Sequence, residues 1–226
     1  MISGTPSPTR ILPLWLRALT LTLLCSAAPL SAASPDAVDP AWILSKIARS
    51  GDISTPFVEL RGSALLKAPL RVEGRYARQA DTTLVREVTA PYHEKITLKG
   101  QTATLERDGR ATRTFSLARA PELADLQKGF GALLSGDASQ LEQHYALSAT
   151  GTRQAWQLRL DPKDATAAKV PVRGIQLYGQ GAELRCIETT DAKGQAQRTL
   201  LAGAAHAAQG VDDGAALTAL CRGHAG

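Results

Sequence analysis

Aromatic residues are scarce in this chain: Phe, Trp and Tyr make up 4% of its 226 residues. A packed core must therefore rely on Leu, Val, Ile and Ala, and few rings are available to fill the space beneath a curved sheet. Catalytic signatures are missing as well. There is no Gly-x-Ser-x-Gly elbow to mark a hydrolase nucleophile. No Cys-x-x-Cys pair marks a redox centre. The four histidines, His93, His144, His206 and His224, are scattered and lack metal-ligand spacing. His93 precedes Glu94, but neighbours on a strand point to opposite faces and form no dyad. No enzymatic activity, metal or cofactor is expected. Nor is a basic run interleaved with aromatic residues, which excludes the usual nucleic-acid signature.

What is present begins at the N-terminus. Arg10 and Arg17 precede the uncharged run ALTLTLLCSAAPL, which leads into Ser31-Ala32-Ala33. A basic start, a short apolar stretch and a small-residue exit describe a secretory signal peptide over residues 1–33, cleaved after Ala33. The run is too short for a full membrane span; an uncleaved anchor is the alternative. Leu24 before Cys25 departs from the small residue a lipidation site requires. Removing Arg10 and Arg17 with the leader lowers the formal charge from +5 to +3, a mixed-charge surface. Export leaves Cys186 and Cys221. In an oxidising compartment an even pair suggests a disulfide, with two free thiols as the other possibility.

Strand patterns dominate the rest. Asp39 and Pro40 read as the cap and first position of a short helix carrying Trp42, Ile43 and Ile47, ended near Gly51. Period-two segments follow from Phe57 to Leu117. Asp108-Gly109 marks a tight hairpin turn. Leu123, Leu126, Phe130, Leu133 and Leu134 then recur at helical spacing, and Asp137 or Ser139 caps a second short helix. Five more strand patterns run from Tyr145 to Leu201. Residues 204–226 form an Ala- and Gly-rich tail with a short helix around Ala215–Cys221. The whole predicts an α+β, mainly antiparallel fold: a strongly curved half-open barrel of about eleven strands, with an N-terminal helix and a helical lid insertion. So many strands in one sheet must curl or split.

The opening hairpin, Phe57 to Tyr76, reads FVELRGSALLKAPLRVEGRY. Alternation groups Val58, Leu60, Ala64 and Leu66 on one face of its first run. Leu70, Val72 and Tyr76 form the apolar set of the second. One apolar and one charged face are expected. Arg86 shares a strand face with Leu84 and Val88, and a guanidinium among apolar neighbours needs a partner: Glu94, a lid carbonyl or a cargo.

In order along the chain, these segments resemble the periplasmic outer-membrane lipoprotein carrier family, LolA, in its divergent branches. The resemblance is carried by the signal peptide and first helix, the Phe57–Tyr76 hairpin and Ala90-Pro91-Tyr92 with Glu94-Lys95-Ile96. Leu133-Leu134-Ser135-Gly136-Asp137, Trp156 to Pro162 and Ile175-Gln176-Leu177 extend it. It covers Trp42 to about Leu201, a carrier domain over residues 34–203. It implies a half-open barrel whose lid covers an apolar cavity shielding acyl chains between inner and outer membrane. The implied cargo-facing residues are Val58, Leu60, Ala64, Leu66, Leu70, Val72, Tyr76, Leu84, Ile96, Leu98, Phe115, Trp156 and Leu158. The lid would supply Leu123, Leu126, Phe130, Leu133 and Leu134. The family's latch Arg before the hairpin Pro is replaced by Ala68, with Lys67 just before it. Lys67 and Arg86 are therefore the polar latch or headgroup candidates. The departure looks more like the branch exporting lipids or aryl-polyene-type glycolipids. Expected partners are an acyl lipid, glycolipid or lipoprotein cargo, an inner-membrane exporter and an outer-membrane acceptor. Contact with the membrane would be transient and the protein a monomer. A non-transporting scaffold domain of an envelope complex is the rival reading. An enzyme acting on an acyl substrate is the third.

Overall fold

The computed structural model describes residues 1, 4, 37–61, 69–80, 83–119, 132–133, 135–163 and 172–223. The chain divides into two units, Met1–Ala33 and Ser34–Gly226. Within the first only Met1 and Gly4 are described. In the second, helix α1 (Pro40–Ile47) opens as its sequence predicts. The Asp39 carboxylate accepts from the Trp42 backbone N–H at 2.8 Å, and Pro40 takes the first turn, where its missing N–H costs nothing.

Eleven antiparallel strands then form one open sheet: β1 (Ile53–Arg61), β2 (Leu70–Arg78), β3 (Leu84–Ala90), β4 (Glu94–Lys99), β5 (Thr102–Arg107), β6 (Arg110–Ser116), β7 (Tyr145–Gly151), β8 (Trp156–Pro162), β9 (Val172–Gln180), β10 (Glu183–Asp191) and β11 (Ala196–Leu201). Their order is β6-β5-β4-β3-β2-β1-β11-β10-β9-β8-β7. Two meanders thus meet where β1 pairs β11, and β6 and β7 remain as edges, so the curved sheet is not a closed barrel. The β5–β6 hairpin turns on Asp108-Gly109, with Arg107 opposite Arg110 and Gly109 at φ +69°. That is the two-residue turn in which glycine takes a positive φ without steric cost. Helix α2 (Ala138–Glu142) is capped by Asp137, whose carboxylate accepts from the Gln140 N–H at 3.1 Å. Hydrogen bonds from Ser139 and from that backbone N–H hold Asp137 below the usual carboxylate range.

The C-terminal segment is built into the fold. Helices α3 (Ala202–Ala207) and α4 (Gly214–Arg222) pack on one face of the sheet. There Ala204, Ala205, Ala208 and Leu217 meet Val58, Leu60, Tyr178 and Leu200. Cys186 on β10 and Cys221 on α4 are disulfide-bonded, with Cα atoms 5.1 Å apart. Arg71 donates to the carbonyls of Ala208 and Val211 at 2.9 and 2.6 Å, tying the segment after α3 to β2.

Helix α1 and the short α2 lie on the other face. Ile43, Leu44 and Ile47 pack with Leu133, Leu141, Trp156, Leu158, Leu160 and Leu177. The Trp156 indole lies flat on Gly179, where an added Cβ would come within 2.0 Å of the ring. Its N–H donates to the Gly181 carbonyl at 2.9 Å. Such close approach is one reason for glycine inside a strand.

Candidate functional site

The strand register decides which residues share the α1 face. Phe57 pairs with Gly74, Glu59 with Val72 and Arg61 with Leu70. Val58 pairs with Glu73 and Leu60 with Arg71. The expected hairpin with one apolar and one charged face is therefore corrected. Its two apolar runs point to opposite faces, because odd residues of β1 face the same way as even residues of β2. Val58 and Leu60 belong to the layer under α3 and α4 rather than beside Val72 and Tyr76.

On the α1 face, β1 to β6 carry a second apolar field. Phe57, Val72, Val88 and Leu201 pack together with Leu70 and Tyr76 beside them. Leu98, Ala103 and Leu117 form the next cluster, flanked by Leu84, Ile96 and Phe115. Among the described helices, the main sheet contacts are with β1, β7, β8, β10 and β11. The structure thus brings together Leu70, Val72, Tyr76, Leu84, Ile96, Leu98 and Phe115. Trp156, Leu158 and Leu133 lie under α1 in the first cluster instead. Ala64, Leu66, Lys67, Leu123, Leu126, Phe130 and Leu134 lie outside the described residues.

Across this apolar field runs an alternating chain of charges from β1, β3, β4 and β5. Glu59, 1% exposed, accepts from the Arg61 Nε and from the Arg86 Nη2 at 3.0 Å. Arg86 Nη1 stands 3.7 Å from Glu94, whose other oxygen accepts from Arg107 Nε at 2.5 Å. Arg86 also lies over the Phe57 ring, its guanidinium carbon 4.9 Å from the centroid. Phe57 and Tyr76 have centroids 4.6 Å apart. Arg86 Nε donates to the Tyr76 hydroxyl at 3.4 Å. Burial works against the Arg86 charge. The Tyr76 oxygen and Glu59, through charge and hydrogen bonds, outweigh it and hold the guanidinium above its ordinary pKa. Burial, then the Glu59 charge, pushes the Tyr76 phenol up from its usual 10.0.

Of the two polar candidates, Arg86 thus has protein partners. Sequence reasoning missed Glu59 and Arg107 in this role, having left Glu59 on the charged face of the hairpin, opposite Val58 and Leu60. The signal was there: Phe57, Glu59 and Arg61 alternate, as do Glu94, Ile96 and Leu98, so each set shares a face once a register is chosen. A gap in β2 at Gly74 marks that register, because the Phe57 ring lies over it. A Cβ at Gly74 would meet the ring at 3.0 Å and the Glu87 carbonyl at 1.9 Å. Among the described residues no group of three or more His, Cys, Asp or Glu is placed to hold a metal. No described helix is long and apolar enough to cross a membrane.

The chain is similar to the LolA superfamily protein NE2245 from Nitrosomonas europaea. Identity is 12%, over 73% of this chain and 91% of that one, with a TM-score of 0.37. It is also similar to a chain of the Pseudomonas aeruginosa MucA/MucB complex, at 21% identity over 72% of this chain, with a TM-score of 0.33. The chain spans 55% of that chain's length. MucB solved separately gives 22% identity, coverage of 72% and 55%, and a TM-score of 0.33. No curated protein matches the chain. The model of the family described as outer membrane lipoprotein carrier protein LolA-like matches residues 32–225, taking in both C-terminal helices, and the chain belongs to that family.

Proposed function

We propose that this protein is an exported, non-enzymatic carrier that shields the acyl part of a lipid or lipidated cargo on the α1 face of its open sheet. One observation supports the reading most. The rows Val72, Val88, Ile96 and Leu98 continue the apolar face across β2–β4, away from the strands on which the described helices mainly pack. The segment carrying Leu123, Leu126 and Phe130 is the natural cover in this proposal. Each acyl methylene moved from water onto such a face is worth about 0.8 kcal/mol, so one long chain supplies substantial affinity. The leader pattern and the Cys186–Cys221 bond both fit an oxidising compartment, the periplasm in this reading.

Native mass spectrometry of the mature chain, released gently from a bacterial periplasm, tests the proposal together with lipid extraction of the same sample. A discrete adduct that extracts as an acyl lipid is expected. Ile96→Ser and Leu84→Ser, both at half-buried positions, should lower its occupancy while the far-ultraviolet spectrum stays unchanged. A clean apo mass that persists after incubation with membrane lipids refutes the carrier, and the scaffold reading then replaces it.

A further inference from the structure

Trp42 on α1 is half-buried, and two exposed cations stand over its ring. The Lys46 Nζ lies 6.0 Å from a ring centroid and the Arg153 guanidinium carbon 5.6 Å. Lys46 comes from the next turn of the same helix, Arg153 from the turn between β7 and β8. Two more cations join them. Arg49 donates to the Lys46 carbonyl at 2.7 Å and to the Ala182 carbonyl at 2.6 Å. Arg78 donates to the Arg49 carbonyl. The turns carrying Arg153 and Ala182 are neighbours, since the Gly181 N–H donates to the Arg153 carbonyl at 3.0 Å. One end of the sheet thus gathers Lys46, Arg49, Arg78 and Arg153 beside one indole.

Among the described residues none of these four is ion-paired, whereas Arg61, Arg71, Arg75, Arg86, Arg107, Arg159 and Arg198 each meet a carboxylate. The carboxylates of the adjoining segments are committed to backbone. Asp39 accepts from the Trp42 N–H, Asp52 from the Ala80 N–H and Glu183 from the Gly203 N–H, at 2.8, 2.6 and 2.9 Å. The exposed strip of α1 through Ala41, Ser45, Lys46 and Arg49 holds no acid, and neither does the exposed turn 152–155. The chain also enters its fold at this end, where Ala37 bridges Thr152.

We propose that this patch docks the protein on a bilayer surface bearing anionic phosphate headgroups. An indole flanked by cations and small uncharged residues suits the boundary between headgroups and acyl chains. Each Lys or Arg brought to such a surface adds about fivefold to partitioning. A fluid surface needs no fixed register of partners, which fits four cations without carboxylates. A protein interface needs a shaped apolar core, and Trp42 is the one ring among these residues. The docking surface goes beyond the carrier reading and does not require it.

Sedimentation of the mature chain with extruded vesicles tests it, comparing phosphatidylcholine alone with an equimolar mixture containing phosphatidylglycerol. Partition onto the mixed vesicles is expected to be at least about thirtyfold stronger at low salt. Most of that gain should vanish in 0.5 M NaCl, where screening shortens the reach of the charges. Lys46→Gln/Arg153→Gln, both at exposed positions, should lower the partition at least about tenfold. Arg110→Gln/Arg113→Gln removes the same charge from exposed positions of β6 and should lower it no more than about twofold. Trp42 gives a local readout. A chain beginning after Ala33 lacks Trp15, and Trp156 is 1% exposed, so acrylamide quenching reports Trp42. Mixed vesicles should reduce that quenching at least about twofold. Equal partition onto both vesicles, or equal losses in the two double variants, overturns the proposal. Unchanged quenching on bound vesicles does so too, because another surface then faces the lipid. None of these outcomes touches the carrier reading, which stands or falls on a bound acyl lipid. If Lys46→Gln/Arg153→Gln does not fold, the quenching of the wild-type chain decides.

Discussion

Removing the Cys186–Cys221 bond tests how far the C-terminal helices depend on a covalent staple. The two cysteines are 35 residues apart in sequence. In the chain-entropy account, a loop of that length takes about 4 kcal/mol of freedom from the unfolded state. A domain of this size is stable by about 5–15 kcal/mol, so the bond accounts for a large share. Both sulfurs are fully buried, between β10 and α4, beside Leu200, Leu217 and Ala204. Alanine is the appropriate replacement, because serine would bury a hydroxyl that needs a partner. The Cys186→Ala/Cys221→Ala protein should lose about 3–4 kcal/mol in urea unfolding relative to the oxidised wild type. Amide exchange should rise first in α4 and then in α3. Thiol titration of the denatured, unreduced wild type should find neither cysteine free. A loss below about 1 kcal/mol with α4 still protected would refute the reasoning. The Leu217 and alanine contacts would then suffice to hold the helix.

Two further perturbations address the α1 face. Glu59→Gln should cost about 3–5 kcal/mol, because it leaves Arg86 with weakened compensation in a buried setting. Glu59→Leu/Arg86→Met should recover a good part of that in the same urea assay. A single-variant loss under about 1 kcal/mol counts against a buried ladder. The Tyr76 phenol has its folded pKa raised above the unfolded value of 10.0. Its contribution to stability is therefore fully present below about pH 10 and declines as pH rises through the folded pKa. Tyr76→Phe should flatten the alkaline limb of the stability curve, and an unchanged slope above pH 10 rules out this assignment.

The helix start at Asp39-Pro40, the Asp108-Gly109 hairpin, a cap at Asp137 or Ser139 and the number of strands were legible along the chain. Each depends on residues within one or two turns of each other, where local dihedral preference and hydrogen bonding decide the outcome. The face assignments of the first hairpin were not legible. Alternation says which residues of a strand go together, but pairing decides which face of the neighbour they join, and a one-residue shift reverses the answer. Glu59 was misplaced for that reason. Its role as the buried hinge of a charge chain exists only once β1 and β3 lie on either side of β2.

The C-terminus shows the same limit. Alanine and glycine carry little amphipathic signal, so residues from 204 onward read as tail, although helix α3 spans Ala202–Ala207. The structure makes them a helix because small side chains allow its backbone to approach Val58 and Leu60 closely. The amino-acid order was enough for a strand-rich, aromatic-poor chain with two cysteines after residue 33. Only the tertiary structure decided which apolar rows belong to a closed layer under α3 and α4 and which continue across β2–β6. It also decided that three guanidiniums and two carboxylates meet on that second face. Those outcomes depend on contacts between residues far apart in the chain, where register and packing, rather than local preference, set the free energy.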